Sequence, residues 1–148
     1  MPYAPVSYVD PVFRPPSEAN SLILQVTNGC SWNKCTYCDM YTQPQKRFSV
    51  KPEEDVIKEI EWFSRNYSGI QRVFLADGDV ISLSPRRLLN ILNAIREYLP
   101  NVTRVASYCS PRNVSNKSDA DLKALYDAGL KLVYVGAESG DDFVLKSI

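Results

Sequence analysis

The sequence predicts an α/β fold in which a parallel sheet is covered by helices. From Ser21 onward, short apolar runs alternate with longer amphipathic ones, and this pairing repeats about four times. The apolar runs lack polar alternation, as expected of strands buried on both faces. The amphipathic runs carry start and stop signals where helices need them. Periodicity leaves two architectures open: an open doubly wound, flavodoxin-like sheet, and part of a β/α barrel.

The first 20 residues hold five of the ten prolines and show no periodicity. They read as an extended arm (residues 1–20) preceding one domain (residues 21–148). Leu22-Ile23-Leu24-Gln25-Val26 is a buried-strand pattern. Val56, Ile60, Phe63 and Tyr67 then form one helical stripe, begun by Pro52 in the first turn with Glu53, Glu54 and Asp55 near the positive end of the dipole. Arg72 to Ala76 reads as the second strand. Ser84-Pro85 opens a second helix with Leu88, Leu92, Ile95 and Leu99 on one face, and Pro100 ends it. Arg104 to Tyr108 is the third strand. Ser118 and Asp121 make a near capping box for a helix carrying Leu122 and Leu125 and stopped at Gly129. Leu130 to Gly136 is the fourth strand, and Asp141 begins a helix with Phe143, Val144 and Ile148. The chain stops about two turns into that helix, which predicts a domain truncated at its C-terminus.

Composition narrows the chemistry. The 148 residues are 45% hydrophobic and carry 17 basic against 17 acidic side chains, a balance that argues against non-specific nucleic-acid binding. No apolar run approaches the ~20 residues of a membrane span, and Met1-Pro2-Tyr3-Ala4-Pro5 is not a signal peptide. Histidine is absent, which removes Ser-His-Asp and Cys-His catalysis and every His-containing zinc site. No Walker A loop or GxGxxG motif occurs.

Three of the four cysteines fall in Gly29-Cys30-Ser31-Trp32-Asn33-Lys34-Cys35-Thr36-Tyr37-Cys38, a C-x4-C-x2-C run directly after the first strand. Three thiolates on one loop can hold one soft metal centre. The spacing leaves an iron–sulfur centre and a four-thiolate zinc site completed by Cys109 both open. Thioredoxin-like redox work by Cys35 and Cys38 fits less well, because Pro44 and Gln45 interrupt the helix expected there.

From Ser21 to Ile148 the sequence resembles the radical S-adenosylmethionine (SAM) superfamily. The resemblance rests on Cys30, Cys35 and Cys38 after strand 1, with Tyr37 as the aromatic before the last cysteine. It extends to Asp77-Gly78-Asp79 after strand 2, where the family often has Gly-Gly-Glu, and to Gly136-Ala137-Glu138-Ser139-Gly140 after strand 4, which is similar to the family's G-x-E-S-G. It implies the N-terminal portion, about four β-α units, of a (β/α)6 partial TIM barrel. It also implies a [4Fe–4S] cluster on the three cysteines, with one iron left open to chelate SAM, and a radical SAM enzyme that abstracts hydrogen from a substrate. By the same resemblance Tyr37, Asp77, Gly78, Asp79, Glu138 and Ser139 line the SAM site, at the C-terminal strand ends where β/α barrels place their chemistry. The alternative from another class is a non-catalytic, Cys-ligated zinc-binding α/β module.

Cys109, at the end of strand 3, reads first as a small buried apolar side chain. The sharper readings are a hydrogen-atom donor or a metal ligand. Ser107 beside it is a candidate for the SAM ribose or carboxylate. Lys34, Lys46 and Arg47 read as a solvated loop or as a docking patch for a flavodoxin or ferredoxin electron donor. Reduced thiols and an oxygen-sensitive centre point to the cytoplasm.

Overall fold

A computed structural model describes residues 6–9, 12, 14–29, 48–77 and 80–135. Four strands form one parallel sheet: β1 (Leu22–Gln25), β4 (Arg72–Ala76), β5 (Arg104–Tyr108) and β6 (Leu130–Tyr134), side by side in that order. Two short strands, β2 (Thr27–Asn28) and β3 (Ser49–Val50), make a separate antiparallel pair. Between the strands run helices α1 (Glu53–Asn66), α2 (Pro85–Tyr98), α3 (Pro111–Ser115) and α4 (Asp119–Asp127).

Alternation along the strands divides the core in two. Leu24, Val73, Leu75 and Val105 face one way and pack with Val56 and Ile60 of α1, Leu88, Leu92 and Ile95 of α2, and Leu125 of α4. Each such side chain, fully buried, contributes about 1.5–3 kcal/mol. Phe74, Ala76 and Ala106 face the other way, with Ile23, Tyr108, Leu132 and Tyr134 beside them. The rings of Phe74, Tyr108 and Tyr134 meet edge-on there, with centroids 5.3–6.4 Å apart.

Helices α1, α2 and α4 thus share one face, and the strand order follows the chain without reversal. A doubly wound sheet reverses its order at a switch point and carries helices on both faces. Neither feature occurs among the described strands. The arrangement is compatible with a partial barrel.

Local chemistry explains most boundaries. The Ser84 side chain accepts from the Arg87 N–H at 3.3 Å, and Pro85 occupies the first helical position of α2. Ser118 accepts from the Asp121 N–H at 3.1 Å to start α4, and Gly129 leaves that helix at φ +126°, a conformation suited to glycine. In α1 the expected stripe holds at Val56, Ile60 and Phe63 and fails at Tyr67. The backbone turns extended at that residue, so a helical period no longer applies, and Tyr67 is 57% exposed. Pro52 sits just before the first helical residue, not within the first turn. The fourth predicted strand ends at Tyr134, and the helix expected from Asp141 lies outside the described residues. Among those described, no helix is long and apolar enough to cross a membrane.

Among the described residues β1 has one strand neighbour, and the N-terminal segment lies along its other side. The Tyr8 hydroxyl donates to the Ile23 carbonyl at 2.7 Å. Val9 exchanges two hydrogen bonds with the Gln25 side chain: its N–H donates to Oε1 at 2.7 Å, and its carbonyl accepts from Nε2 at 3.2 Å. Val6 packs on the helix-side core and Val12 on the opposite cluster, so the segment crosses the strand's edge. Covering an edge in this way removes a template for unwanted pairing. Farther along, a turn at Pro16–Glu18 buries the Glu18 carboxylate. Its Oε2 pairs with Arg104 and accepts from the Tyr134 hydroxyl at 2.9 Å, while Oε1 accepts from Ser21 Oγ at 3.2 Å.

Two measurements test these contacts. Ser84→Ala removes the α2 cap and is expected to cost about 1 kcal/mol in urea unfolding, whereas Ser84→Gly costs only a few tenths. Glu59, buried in α1, has its carboxyl pushed above the usual range by burial, against the pull of Lys51 at 2.8 Å. A folded-state pKa above the unfolded one means stability is full below the ordinary carboxylate range and falls as pH rises through the raised value. Glu59→Gln should flatten that segment of the stability–pH curve, and an unchanged slope would count against it.

Candidate functional site

The C-terminal ends of the parallel strands converge where three chain segments are pinned together. β1 leads directly into β2, and β3 returns from the far end of the 30–47 segment. Thr27 pairs with Val50 and Asn28 with Ser49, so β2 and β3 close the base of this 18-residue segment. Cys30, Cys35, Cys38 and Tyr37 all fall within it, as do Lys34, Lys46 and Arg47. These residues lie outside those described, but the frame that carries them is fixed on both sides. Closing the base also removes the loop-closure entropy that the segment would otherwise have to lose.

Asp77 joins this frame to β4. Its N–H donates to the Thr27 carbonyl at 3.0 Å, extending the β1–β4 pairing past the strand ends. Its carboxylate is fully buried, and Oδ2 accepts from the Gly29 N–H at 2.9 Å and from Gln25 Nε2 at 3.0 Å. Gly29 adopts φ +73°, a left-handed conformation that glycine takes without steric cost. Cys30 is the next residue. Leaving a buried N–H without such an acceptor costs about 1–3 kcal/mol.

Gly78, Asp79, Glu138 and Ser139 lie outside the described residues. The chain on both sides of Gly78 and Asp79 is nonetheless anchored. Asp77 is bound as above, Val80 is buried in the helix-side core, and the Ile81 carbonyl accepts from Lys117 Nζ.

Ser107 is placed away from the face that carries Phe74, Ala106 and Tyr108. It stands opposite Leu75 in the β4–β5 register, fully buried, and its hydroxyl donates to the Leu75 or Tyr108 carbonyl, each at 3.1 Å. Cys109 follows the end of β5. It is 5% exposed, its N–H donates to the Tyr134 carbonyl at 3.0 Å, and its thiol lies 3.2 Å from the Ser110 carbonyl.

Gln25 and Gly29 belong to this site although no motif marks them. Gln25 carries a weaker signal: it is the one polar residue in the run Leu22 to Val26. A polar side chain inside a buried strand needs partners, and here it finds Asp77 and Val9.

The donor set suits a thiolate-bound metal cluster, with three cysteines within nine residues of sequence and no histidine in the chain. Comparison with known proteins agrees. No curated protein matches the chain. A family model described as the radical SAM superfamily matches residues 24–148. That span takes in the pinned cysteine segment and nearly all of the parallel sheet, and the chain belongs to the radical SAM superfamily.

Proposed function

We propose that Cys30, Cys35 and Cys38 hold one [4Fe–4S] cluster and that the chain binds SAM beside it, as part of a radical SAM enzyme. The observation that carries this reading is the three-thiol segment, closed at its base by β2 and β3 at the C-terminal ends of a parallel sheet. Superfamily membership supports the same cofactors. When bound, they supply reductive cleavage of SAM to methionine and a 5′-deoxyadenosyl radical that takes a hydrogen atom from the substrate.

The chain's own residues bind and orient. Three protein thiolates leave one coordination position for a small ligand, the general mark of a catalytic rather than a structural metal site. Asp79 and Glu138 supply carboxylates that accept hydrogen bonds from the methionine ammonium or the ribose hydroxyls. Gly78 offers a backbone free of side-chain bulk, Ser139 a hydroxyl, and Tyr37 a ring against the adenine. Ser107 braces the sheet wall from within, and Asp77 holds Gly29, the residue before the first cysteine. Lys34, Lys46 and Arg47 form the docking patch for a flavodoxin or ferredoxin donor. Reduced thiols and an oxygen-sensitive centre favour the cytoplasm.

Anaerobic reconstitution tests the cluster. Wild-type protein should take up four irons and four sulfides per chain, and any single Cys→Ala change among the three should abolish the reduced-cluster EPR signal. A triple-alanine variant with full iron content would overturn the assignment. The SAM contacts are tested separately, by titrating SAM into Asp79→Asn and Glu138→Gln proteins of normal iron content. Losing one charge-assisted hydrogen bond should weaken binding by about 1.5–3 kcal/mol. Unchanged affinity in both would reduce these residues to turn formers.

A further inference from the structure

The Asp77 carboxylate has its Oδ2 directed at the residue that precedes the first cysteine. We propose that Asp77 is a positioning residue for the cysteine segment, and that Gln25 and Lys51 couple this hold to the N-terminal segment at residues 6–9. The inference rests on the assignment of Cys30, Cys35 and Cys38 as cluster ligands.

At the start of the segment, Oδ2 accepts from the Gly29 N–H at 2.9 Å and from Gln25 Nε2 at 3.0 Å. Gln25 in turn holds both backbone groups of Val9. At the return end, Lys51 follows β3 directly, and its ammonium donates to the Ser7 carbonyl and to Glu59, each at 2.8 Å. Both ends of the 30–47 segment are therefore fastened to the same short piece of chain. The contacts at the start are buried, where a hydrogen bond is electrostatically stronger than in water. A ligand set on one loop must be held to a fraction of an ångström to favour one cluster geometry. A carboxylate bound to the amide next to the first ligand, rather than to a remote backbone group, acts at the shortest lever arm available.

The arrangement makes a specific demand on side-chain chemistry. The Asp77→Asn side chain keeps an acceptor oxygen for the Gly29 N–H, while Asp77→Ala keeps none. A contact with the SAM ammonium would instead depend on the negative charge.

The test uses the 148-residue chain, first without metal and then reconstituted anaerobically. Amide hydrogen exchange at Gly29 is followed by NMR in wild type, Asp77→Ala, Asp77→Asn, Gln25→Ala and Lys51→Met. Ser84→Ala serves as a destabilised control that leaves these contacts intact. Exchange at Gly29 should quicken roughly tenfold or more in Asp77→Ala relative to that control, and return to near wild type in Asp77→Asn. Gln25→Ala should quicken both Gly29 and Val9, and Lys51→Met should act at β3. After reconstitution, Asp77→Ala should show a broadened or shifted EPR signal that Asp77→Asn restores.

Gly29 exchange in Asp77→Ala no faster than in the control would overturn the proposal. So would failure of Asp77→Asn to restore the EPR signal. Should Asp77→Ala not fold, Gln25→Ala carries the test, and an unchanged Gly29 rate there is equally decisive. Failure of the wild-type chain to take up a cluster would overturn the assignment of the cysteines while leaving the metal-free exchange result standing.

Discussion

A carboxylate removed from water must find donors, and Asp77 finds them on segments about fifty residues away in sequence: the Gln25 amide and the Gly29 N–H. Each partner brings something with it. Gln25 brings the N-terminal segment through Val9, and Gly29 brings the start of the cysteine segment. The backbone of Asp77 brings the end of β4 through Thr27. A buried hydrogen bond between neutral groups stabilises by about 1 kcal/mol net, and one to a charged group by about 1.5–3. The larger effect is the asymmetry. Once the carboxylate is buried, each donor that leaves it exposes the full cost of desolvation, so the three segments are held in place together.

The parallel sheet supplies the floor on which this happens. Parallel strands end together, and loops leaving their C-terminal ends meet at one rim. The β1–β4–β5 register aligns Gln25 with Ala76 and Leu75 with Ser107, which brings the chain after each strand to a common level. The described helices α1, α2 and α4 contribute by covering one face. The opposite face keeps Phe74, Tyr108 and Tyr134 together, and the N-terminal turn closes over part of it through Glu18, Arg104 and Tyr134. The N-terminal segment thus has two roles with few residues: it lies along the edge of β1 that has no strand neighbour among the described residues, and it supplies Glu18 as the buried partner of Arg104.

Elements with strong local signals are legible in the sequence alone. β4 and β5 fall where their apolar runs place them, and α2 and α4 start at the serines that cap them. The elements that escape such a reading are too short to carry a period. α3 has five residues, and its signal is a reciprocal cap between Ser110 and Asn113, with asparagine where glutamate or glutamine is usual. β2 and β3 have two residues each, and their pairing depends on contacts across twenty residues of intervening chain. Tyr67 shows the opposite failure: its spacing matches a helix that has already ended. Of the site, the cysteine motif is visible as spacing, while the Asp77 clamp is not, because a buried carboxylate's partners are set by tertiary contact.

Ser107 shows how strand parity sorts a rim. A polar residue near the C-terminal end of a strand is a candidate for ligand contact, yet successive side chains on a strand point to opposite faces. Ala106 and Tyr108 take the face with Phe74 and Tyr134, which leaves Ser107 with Val105 and Leu75. There its hydroxyl must be satisfied from within, and the carbonyl of Leu75 or of Tyr108 accepts its proton. Asp77 stands just past β4, where the chain has left the sheet, and Gln25 is the last residue of β1, where its long side chain can reach beyond the strand end. Polar groups at a strand end therefore serve the rim when they reach past the last ladder bond, and serve the wall when they do not.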